Sequence, residues 1–173
     1  MTILETERLR LRNMTDTDLD TLSAFLQDSE AMYAYEGAFS DDEVRAWLQR
    51  RAEERKRGDG LGLWAVELKS TGQMIGDCGI TRQHTPSGER LEIGYHLRRD
   101  CWHNGYAIEA ARACKHYAFE VLCVPEVCSI IRDTNLASMN VAIRNGMMVR
   151  DRFVKHYRGV DMPHLVFVVR KTS

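Results

Sequence analysis

The chain of 173 residues lacks the features that would assign it to several large functional classes. Lys and Arg number 24 against 25 for Asp and Glu, so there is no basic excess of the kind that general nucleic-acid or membrane-surface binding requires. No run approaches the ~18 apolar residues of a membrane span, and the N-terminal stretch MTILETERLRLR contains no apolar signal core. These absences predict a cytoplasmic protein with neither a nucleic acid nor a membrane as its partner.

Cysteine pairs and metal-binding spacings are also missing. The five cysteines form no C-x-x-C pair and show no zinc spacing with the six histidines, a pattern typical of reduced thiols in the cytoplasm. Four scattered histidines have no carboxylate partner at metal spacing, so we interpret them as surface or core residues: His96, His103, His156 and His164. The sequence therefore predicts no metal site.

What the chain does contain is a series of strand and helix patterns without internal repeats. We predict a single domain, 1–173, of the α/β (α+β) class, with a mixed sheet of about six to seven strands flanked by about four helices. The predicted strands lie at 7–14, 61–70, 73–84, 90–99, 127–133, 148–157 and 163–171, and the helices at 16–28, 41–59, 104–122 and 135–147. The resulting order is β-α-α-β-β-β-α-β-α-β-β, and the strands on either side of the 104–122 helix should be parallel through a right-handed crossover.

The stretch RRDCWHNGYAIEAARA, residues 98–113, places Gly105 at the start of an alanine-rich helix. Most helices begin with Ser, Thr, Asp or Asn, whose side chains cap the free N–H groups. A glycine can leave those N–H groups bare and directed at an external anion. The alternative is an ordinary helix capped by Asn104, with Gly105 in its first turn.

Several motifs, in order along nearly the whole chain, resemble the GNAT superfamily of N-acetyltransferases, and most closely its ribosomal-protein N-terminal acetyltransferase (RimJ/RimL-like) branch. The strand LEIGYHL, the turn WHNGYA and the helix NLASMNVAIRNGM carry the resemblance most clearly. The matching segments are Glu5–Arg12, Trp64–Val66, Gly72–Ile80, Glu92–Leu97, Trp102–Ala110, Asn135–Ser138 and Asn145–Met147. The resemblance implies the same fold and an acetyl-CoA-dependent transfer of an acetyl group to a primary amine.

The resemblance also implies which residues hold acetyl-CoA. The six-residue turn that wraps the pyrophosphate falls on Trp102, His103, Asn104, Gly105, Tyr106 and Ala107. The pantetheine arm would lie along Tyr95, His96 and Leu97, with the Leu97 N–H polarising the thioester carbonyl. Asn135 would bond the pantetheine amide, and Ser138 would lie near the sulfur as a proton donor or as a ligand of the thiol. Alternatively, Asn135 and Ser138 belong only to a helix start capped by Asp133 or Thr134.

Glu92 is our candidate general base, since it lies on the strand that would carry the cofactor. Strand alternation places Glu92, Gly94 and His96 on one face of that strand. The alternative role for Glu92 is that of an ordinary ion pair or of an exposed strand residue. Many members of the superfamily place a tyrosine general acid four residues after the serine position, and Ala142 stands there in this chain.

The acceptor amine, a protein N-terminus or a small molecule, should enter between the loop 29–40 and the final hairpin 157–163. Candidate lining residues are Tyr33, Tyr35, Glu36, Phe39, Tyr157 and His164, although ordinary packing of these side chains on the sheet is an equal alternative.

We expect direct transfer in a ternary complex. The rival functions are a non-catalytic acetyl-CoA sensor and an interaction module with an accidental match, and a homodimer is possible.

Overall fold

The computed structural model describes residues 1–172. Eight strands form one sheet in the order β1-β2-β3-β4-β5-β6-β8-β7. The strands are β1 (Thr2–Glu5), β2 (Leu9–Arg12), β3 (Gly62–Leu68), β4 (Met74–Thr85), β5 (Gly88–Leu97), β6 (Glu126–Arg132), β7 (Met148–Tyr157) and β8 (Val160–Arg170). The helices are α1 (Leu19–Leu26), α2 (Asp41–Lys56), α3 (Tyr106–Glu120) and α4 (Leu136–Arg144).

The predicted fold class is confirmed, with one strand more than expected. The additional strand is β1, which has only four residues, none of them buried, and pairs with β2 at the edge of the sheet. Its pattern was too short and too exposed to be recognised as a strand. The remaining elements follow the predicted order, and no helix within residues 1–172 is long and apolar enough to cross a membrane.

The two faces of the sheet pack against different helices. Residues alternate along β3, so Trp64 and Val66 join the core beneath α3, while Leu63 and Ala65 join the core beneath α1 and α2. Four small residues of α3 are fully buried on the sheet and let the helix lie close to it: Ala110, Ala111, Cys114 and Ala118. Each fully buried Leu or Ile of these cores contributes about 1.5–3 kcal/mol.

The sheet opens between β5 and β6. These two strands are the parallel pair that was predicted, and within the described chain their register consists of the single pair Glu92–Cys128. Just beyond it, the buried Ser129 hydroxyl donates to the Ile93 carbonyl at 2.8 Å. From there β5 continues to Leu97 alongside β4, while β6 continues alongside β8. The divergence leaves a gap in the middle of the sheet.

Candidate active site

The N-terminus of α3 carries bare N–H groups. Gly105 is the residue before the helix, with φ of 78°, and within residues 1–172 no side chain caps the first turn. The Asn104 side chain donates backwards instead, to the carbonyls of Trp102 at 2.8 Å and Cys101 at 3.2 Å. The alternative of a helix capped by Asn104 is therefore wrong. The first-turn N–H groups and the positive end of the helix dipole are therefore available to an anion.

Arg8, the residue just before β2, holds this turn in place. The Arg8 guanidinium donates to the Asn104 carbonyl at 3.0 Å and lies 4.6 Å from the centroid of the Tyr106 ring. It also pairs with Glu109 of the first turn at 2.6 Å. Burial opposes ionisation of Glu109, but the hydrogen bonds from Thr6 and Arg8 outweigh it and lower the pKa of Glu109. These contacts fix the position of the turn relative to the sheet.

The open edge of β5 presents backbone donors to the gap. In an antiparallel pair, alternate residues direct their N–H and C=O groups towards and away from the partner strand. The Arg98 N–H bonds to Ile75 of β4, so the N–H groups of Leu97 and Tyr95 point into the gap. The Leu97 carbonyl, also on this edge, accepts the Trp102 indole N–H at 2.9 Å. By the same alternation, the His96 backbone faces β4, away from the predicted pantetheine path.

The first turn of α4 closes the other side of the gap. The Asn135 Oδ1 accepts the Ser138 N–H at 3.1 Å, so Asn135 is the N-cap and the predicted capping by Asp133 or Thr134 is wrong. The Tyr95 hydroxyl donates to the Ser138 carbonyl at 2.8 Å and thereby ties α4 to β5. Ser138 is thus held beside the open edge of β5 and half-buried.

Glu92 stands where the gap begins. Its Oε1 accepts the Ile130 N–H at 3.1 Å. Burial raises the pKa of Glu92, although Lys155, the Ile130 N–H and His96 partly oppose this effect. A carboxyl whose pKa is shifted towards neutrality is suited to general-base chemistry. Within the described chain Glu92 has no direct ion-pair partner, in contrast to the alternative role.

A buried hydrogen-bond network, which sequence reasoning missed, lies on the α1–α2 face beside Glu92. The Asp77 side chain is completely buried, and its Oδ1 lies 2.7 Å from the His96 Nδ1. The other Asp77 oxygen accepts the Trp47 indole N–H at 3.2 Å. The His96 Nε2 lies 2.9 Å from the Tyr35 hydroxyl. His96 therefore has a carboxylate partner on the neighbouring strand, although the two residues are 19 positions apart in the sequence.

The loop and the hairpin expected at the acceptor side do come together. Arg158 at the tip of the β7–β8 hairpin donates to the carbonyls of Glu36 and Ala38 and pairs with Glu43 at 2.5 Å. Glu36 is itself paired with Arg132 at 2.5 Å, so its carboxylate serves to hold the loop in place.

The remaining acceptor-side candidates differ in exposure. Tyr33 and Tyr157 are exposed, with 41% and 36% of their surface accessible, and stay candidates for contact with an acceptor. Phe39 is buried and packs edge-on against Tyr35 and Trp47. His164 is buried, bonded to the Met162 carbonyl at 2.8 Å and stacked on Phe153. Burial lowers the pKa of His164, consistent with a neutral core residue.

The family model for the acetyltransferase (GNAT) domain matches residues 8–148, and the chain belongs to this family of acetyltransferases. Among curated relatives, the uncharacterized protein YkkB of Bacillus subtilis (strain 168) is 40% identical over 147 residues, which cover 84% of this chain and 85% of YkkB. The uncharacterized N-acetyltransferase p20 of Bacillus licheniformis is 31% identical over 143 residues, which cover 82% of this chain and 79% of p20.

A solved RimL ribosomal L7/L12 alpha-N-protein acetyltransferase, in complex with coenzyme A, shares the fold. The TM-score is 0.78 at 18% identity, and the match covers 98% of each chain. Enzymes of this family take their acetyl group from acetyl-CoA.

Proposed function

We propose that the protein transfers the acetyl group of acetyl-CoA directly to a primary amine, on a small molecule or at a protein N-terminus. The observation that carries this proposal is the alignment of three features along one gap: the bare α3 N-terminus, the free N–H groups of β5, and Glu92. The residues fit acetyl-CoA, because an uncapped helix start suits a pyrophosphate and an unpaired strand edge suits the amides of the pantetheine arm.

The chain's own groups divide the work in this reaction. The turn Trp102–Ala107 binds the pyrophosphate, and the Leu97 N–H donates to the thioester carbonyl oxygen as that oxygen gains negative charge. Glu92 accepts a proton from the attacking amine, directly or through water. Asn135 has an amide N–H₂ left to donate while its oxygen caps α4. Ser138 supplies a proton to the departing sulfur.

Direct transfer is favoured over an acetylated cysteine. Cys128 is the cysteine opposite Glu92, and burial, followed by the charge of Glu92, raises its pKa to about 12. Burial also raises the pKa of Cys78 and of Cys101. Thiols held protonated in this way are poor nucleophiles. None of the five cysteines, all of which lie within the described residues, forms a disulfide, and we propose a reducing compartment such as the cytoplasm.

The test is acetyl-CoA-dependent thiol release with a panel of amines: an amino acid, a polyamine, an aminoglycoside and a peptide with a free N-terminus. We expect amine-dependent release from the wild-type protein, a lower rate in Ser138→Ala, and a larger loss in Glu92→Gln. In parallel, coenzyme A at 100 times its Kd should stabilise the fold by about 2.7 kcal/mol.

Two results would contradict the proposal in different ways. Thermal stabilisation by coenzyme A without acetyl transfer to any amine would favour a non-catalytic sensor. The absence of stabilisation at saturating coenzyme A would exclude acetyl-CoA as the ligand of this gap and favour an interaction module.

A further inference from the structure

We propose, on the basis of the proposed acetyl transfer, that Tyr35 is a catalytic residue that takes a proton from the acceptor amine, with His96 and Asp77 as its relay. Three elements supply the parts. Asp77 comes from β4 and His96 from the opposed position of β5, while Tyr35 comes from the loop between α1 and α2. The contacts run in one line, with 2.7 Å from Asp77 to His96 and 2.9 Å from His96 to Tyr35.

The donors and acceptors along this line have a definite direction. The Trp47 indole nitrogen is only a donor, so the Asp77 oxygen 3.2 Å away accepts from it. When the His96 ring is neutral and Asp77 is ionised, the other Asp77 oxygen accepts the His96 Nδ1–H, which leaves the His96 Nε2 as an acceptor. The Tyr35 hydroxyl therefore donates to Nε2, and its oxygen lone pairs remain available for an N–H of the substrate.

The surroundings keep the Tyr35 hydroxyl protonated, so that it gives its own proton to His96 only as it receives one from the amine. Burial raises the pKa of Tyr35, and the charges of Glu92 and Asp77 and the hydroxyl of Tyr157 raise it further, while Arg51 of α2 opposes them. The hydroxyl therefore passes a proton on and does not act as a stable phenolate. The ring is also held in place, edge-on to Phe39 at 6.1 Å and tilted on His96 at 5.5 Å.

The relay requires the acceptor amine to lie on the same face, over Gly94. Glu92 and His96 project from this face of β5 on either side of Gly94, with Cα atoms ~13 Å apart at the rise of a strand. A Cβ built on Gly94 would meet only the Leu63 Cδ2, at 3.7 Å, so a methyl group fits there without a clash. The floor between the two groups is therefore bare backbone, bracketed by Glu92 and by the Tyr35–His96–Asp77 line.

Two proton acceptors match the chemistry of an ammonium substrate. The amine must lose one proton before it attacks and a second as the N–C bond forms. Glu92 takes the first. As the C–S bond breaks and its electron pair leaves with the sulfur, the second proton passes to the Tyr35 oxygen while the Tyr35 proton passes to His96 Nε2. Asp77 stabilises the resulting imidazolium, the sulfur gains one proton from Ser138, and one proton in total reaches solvent when the groups reset.

A buried carboxylate and imidazole at this position are not explained by stability. A buried ion pair is often no more stabilising than apolar residues of the same volume. The core around His96 offers apolar packing from Phe25, which stacks on its ring at 6.3 Å, and from Trp47 at 5.5 Å. A polar line through such a core, ending at the Tyr35 hydroxyl on the face of the sheet that also carries Glu92, is more typical of a functional site.

The experiment compares Tyr35→Phe and His96→Ala with His156→Ala in the thiol-release assay. His156 forms a second histidine–aspartate pair, with Asp161 at 2.8 Å, but is exposed on the β7–β8 hairpin and serves as the matched control. We expect kcat to fall about 100-fold in Tyr35→Phe and in His96→Ala. Added imidazole should raise the kcat of His96→Ala about tenfold, because it can occupy the vacated space. It should not raise the kcat of Tyr35→Phe. Stabilisation by coenzyme A should be the same in all three.

Each result decides between the relay and its alternatives. If the wild-type protein is active and Tyr35→Phe has the same kcat, the relay is overturned and the acetyl transfer stands. This holds whatever the kcat of His96→Ala. Loss of activity in His96→Ala without rescue by imidazole, in a variant that coenzyme A still stabilises, also overturns it. The absence of thiol release from the wild-type protein with every amine overturns the proposed function, and the relay with it.

Discussion

On the face covered by α3 and α4, the gap between β5 and β6 offers backbone groups, namely the N–H groups of the α3 turn and of Tyr95 and Leu97. On the face covered by α1 and α2, β4 and β5 offer side chains, namely Glu92, His96 and Asp77. In our proposal the first face binds the ligand by shape and dipole, and the second removes protons from the amine. The division is between binding and proton removal, since Ser138, the proposed proton donor, lies on the first face with the Tyr95 hydroxyl.

Two further positions depart from the pattern of the family that the sequence resembles, and both lie just before α3. His103 stands where the pattern has glycine, and it adopts a φ of 62° in this chain. Arg99 replaces a common proline and pairs with Asp28 and Glu30, which ties the turn to the acceptor-side loop. A site built from backbone atoms accepts such changes, whereas a site built from Asp77, His96 and Tyr35 should not.

The largest effect that separates the faces is expected from Glu92→Gln. Glutamine keeps an oxygen for the Ile130 N–H but cannot accept a proton, so kcat should fall roughly 10²–10⁴-fold. The affinity for coenzyme A, measured by calorimetric titration, should not change. A parallel loss of affinity would mean that Glu92 belongs to the binding face, and the division would be wrong.

Gly105→Val should produce the opposite result. A β-branched residue is strained at a φ of 78°, so the turn must rearrange and its N–H groups lose their common direction. We expect the affinity for coenzyme A to fall about 10- to 100-fold. Gly72→Val is the matched control, since Gly72 has a φ of 71° and nothing within 4 Å of an added Cβ. Equal losses of affinity for coenzyme A in the two variants would show that the effect comes from general destabilisation.

Tyr95→Phe should have a smaller effect that links the two sides of the gap. The variant removes the bond from the Tyr95 hydroxyl to the Ser138 carbonyl, which should lower the free energy of unfolding by about 0.5–1.5 kcal/mol. Urea denaturation measures this loss. Because the bond positions the first turn of α4, the rate should also fall towards that of Ser138→Ala. An unchanged rate would show that Ser138 needs no such support.

The smallest effect concerns stability against pH. Burial raises the pKa of Glu92 above its ordinary value of 4.5, so the folded protein binds a proton that the unfolded chain has already lost. The wild-type protein should therefore lose stability as the pH rises through the folded-state pKa, and Glu92→Gln should not. The Tm of the variant should equal or exceed that of the wild type at neutral pH, with the difference shrinking towards pH 4. A lower Tm at neutral pH would contradict the raised pKa.

The backbone side of the site could be predicted because its signals are local. A glycine at the start of an alanine-rich helix is visible in WHNGYA, and the alternation of Glu92, Gly94 and His96 follows from strand geometry alone. The order of elements was recovered for the same reason. The exception was β1, whose four residues have no buried member to reveal a pattern.

The side-chain network could not be predicted, because it depends on register and on distant anchors. Asp77 meets His96 only because Thr85 and Gly88 close the β4–β5 hairpin around the two residues Pro86 and Ser87. Asp77 lies eight residues before Thr85, and His96 lies eight residues after Gly88. A two-residue turn at Pro86 and Ser87 was therefore the sequence signal that could have paired them. Tyr35 has no such signal, since its loop is held by Arg132 and Arg158 from much later in the chain.

The proposed binding site depends most directly on where coenzyme A touches the backbone, and an amide-resolved NMR titration measures this. We predict the largest shifts at the amides of residues 105–108 and of Tyr95 and Leu97, with smaller shifts at Gly94 and His96, whose N–H groups face β4. Saturating coenzyme A that leaves the amides of 105–108 unmoved, with the large shifts elsewhere, would contradict the account.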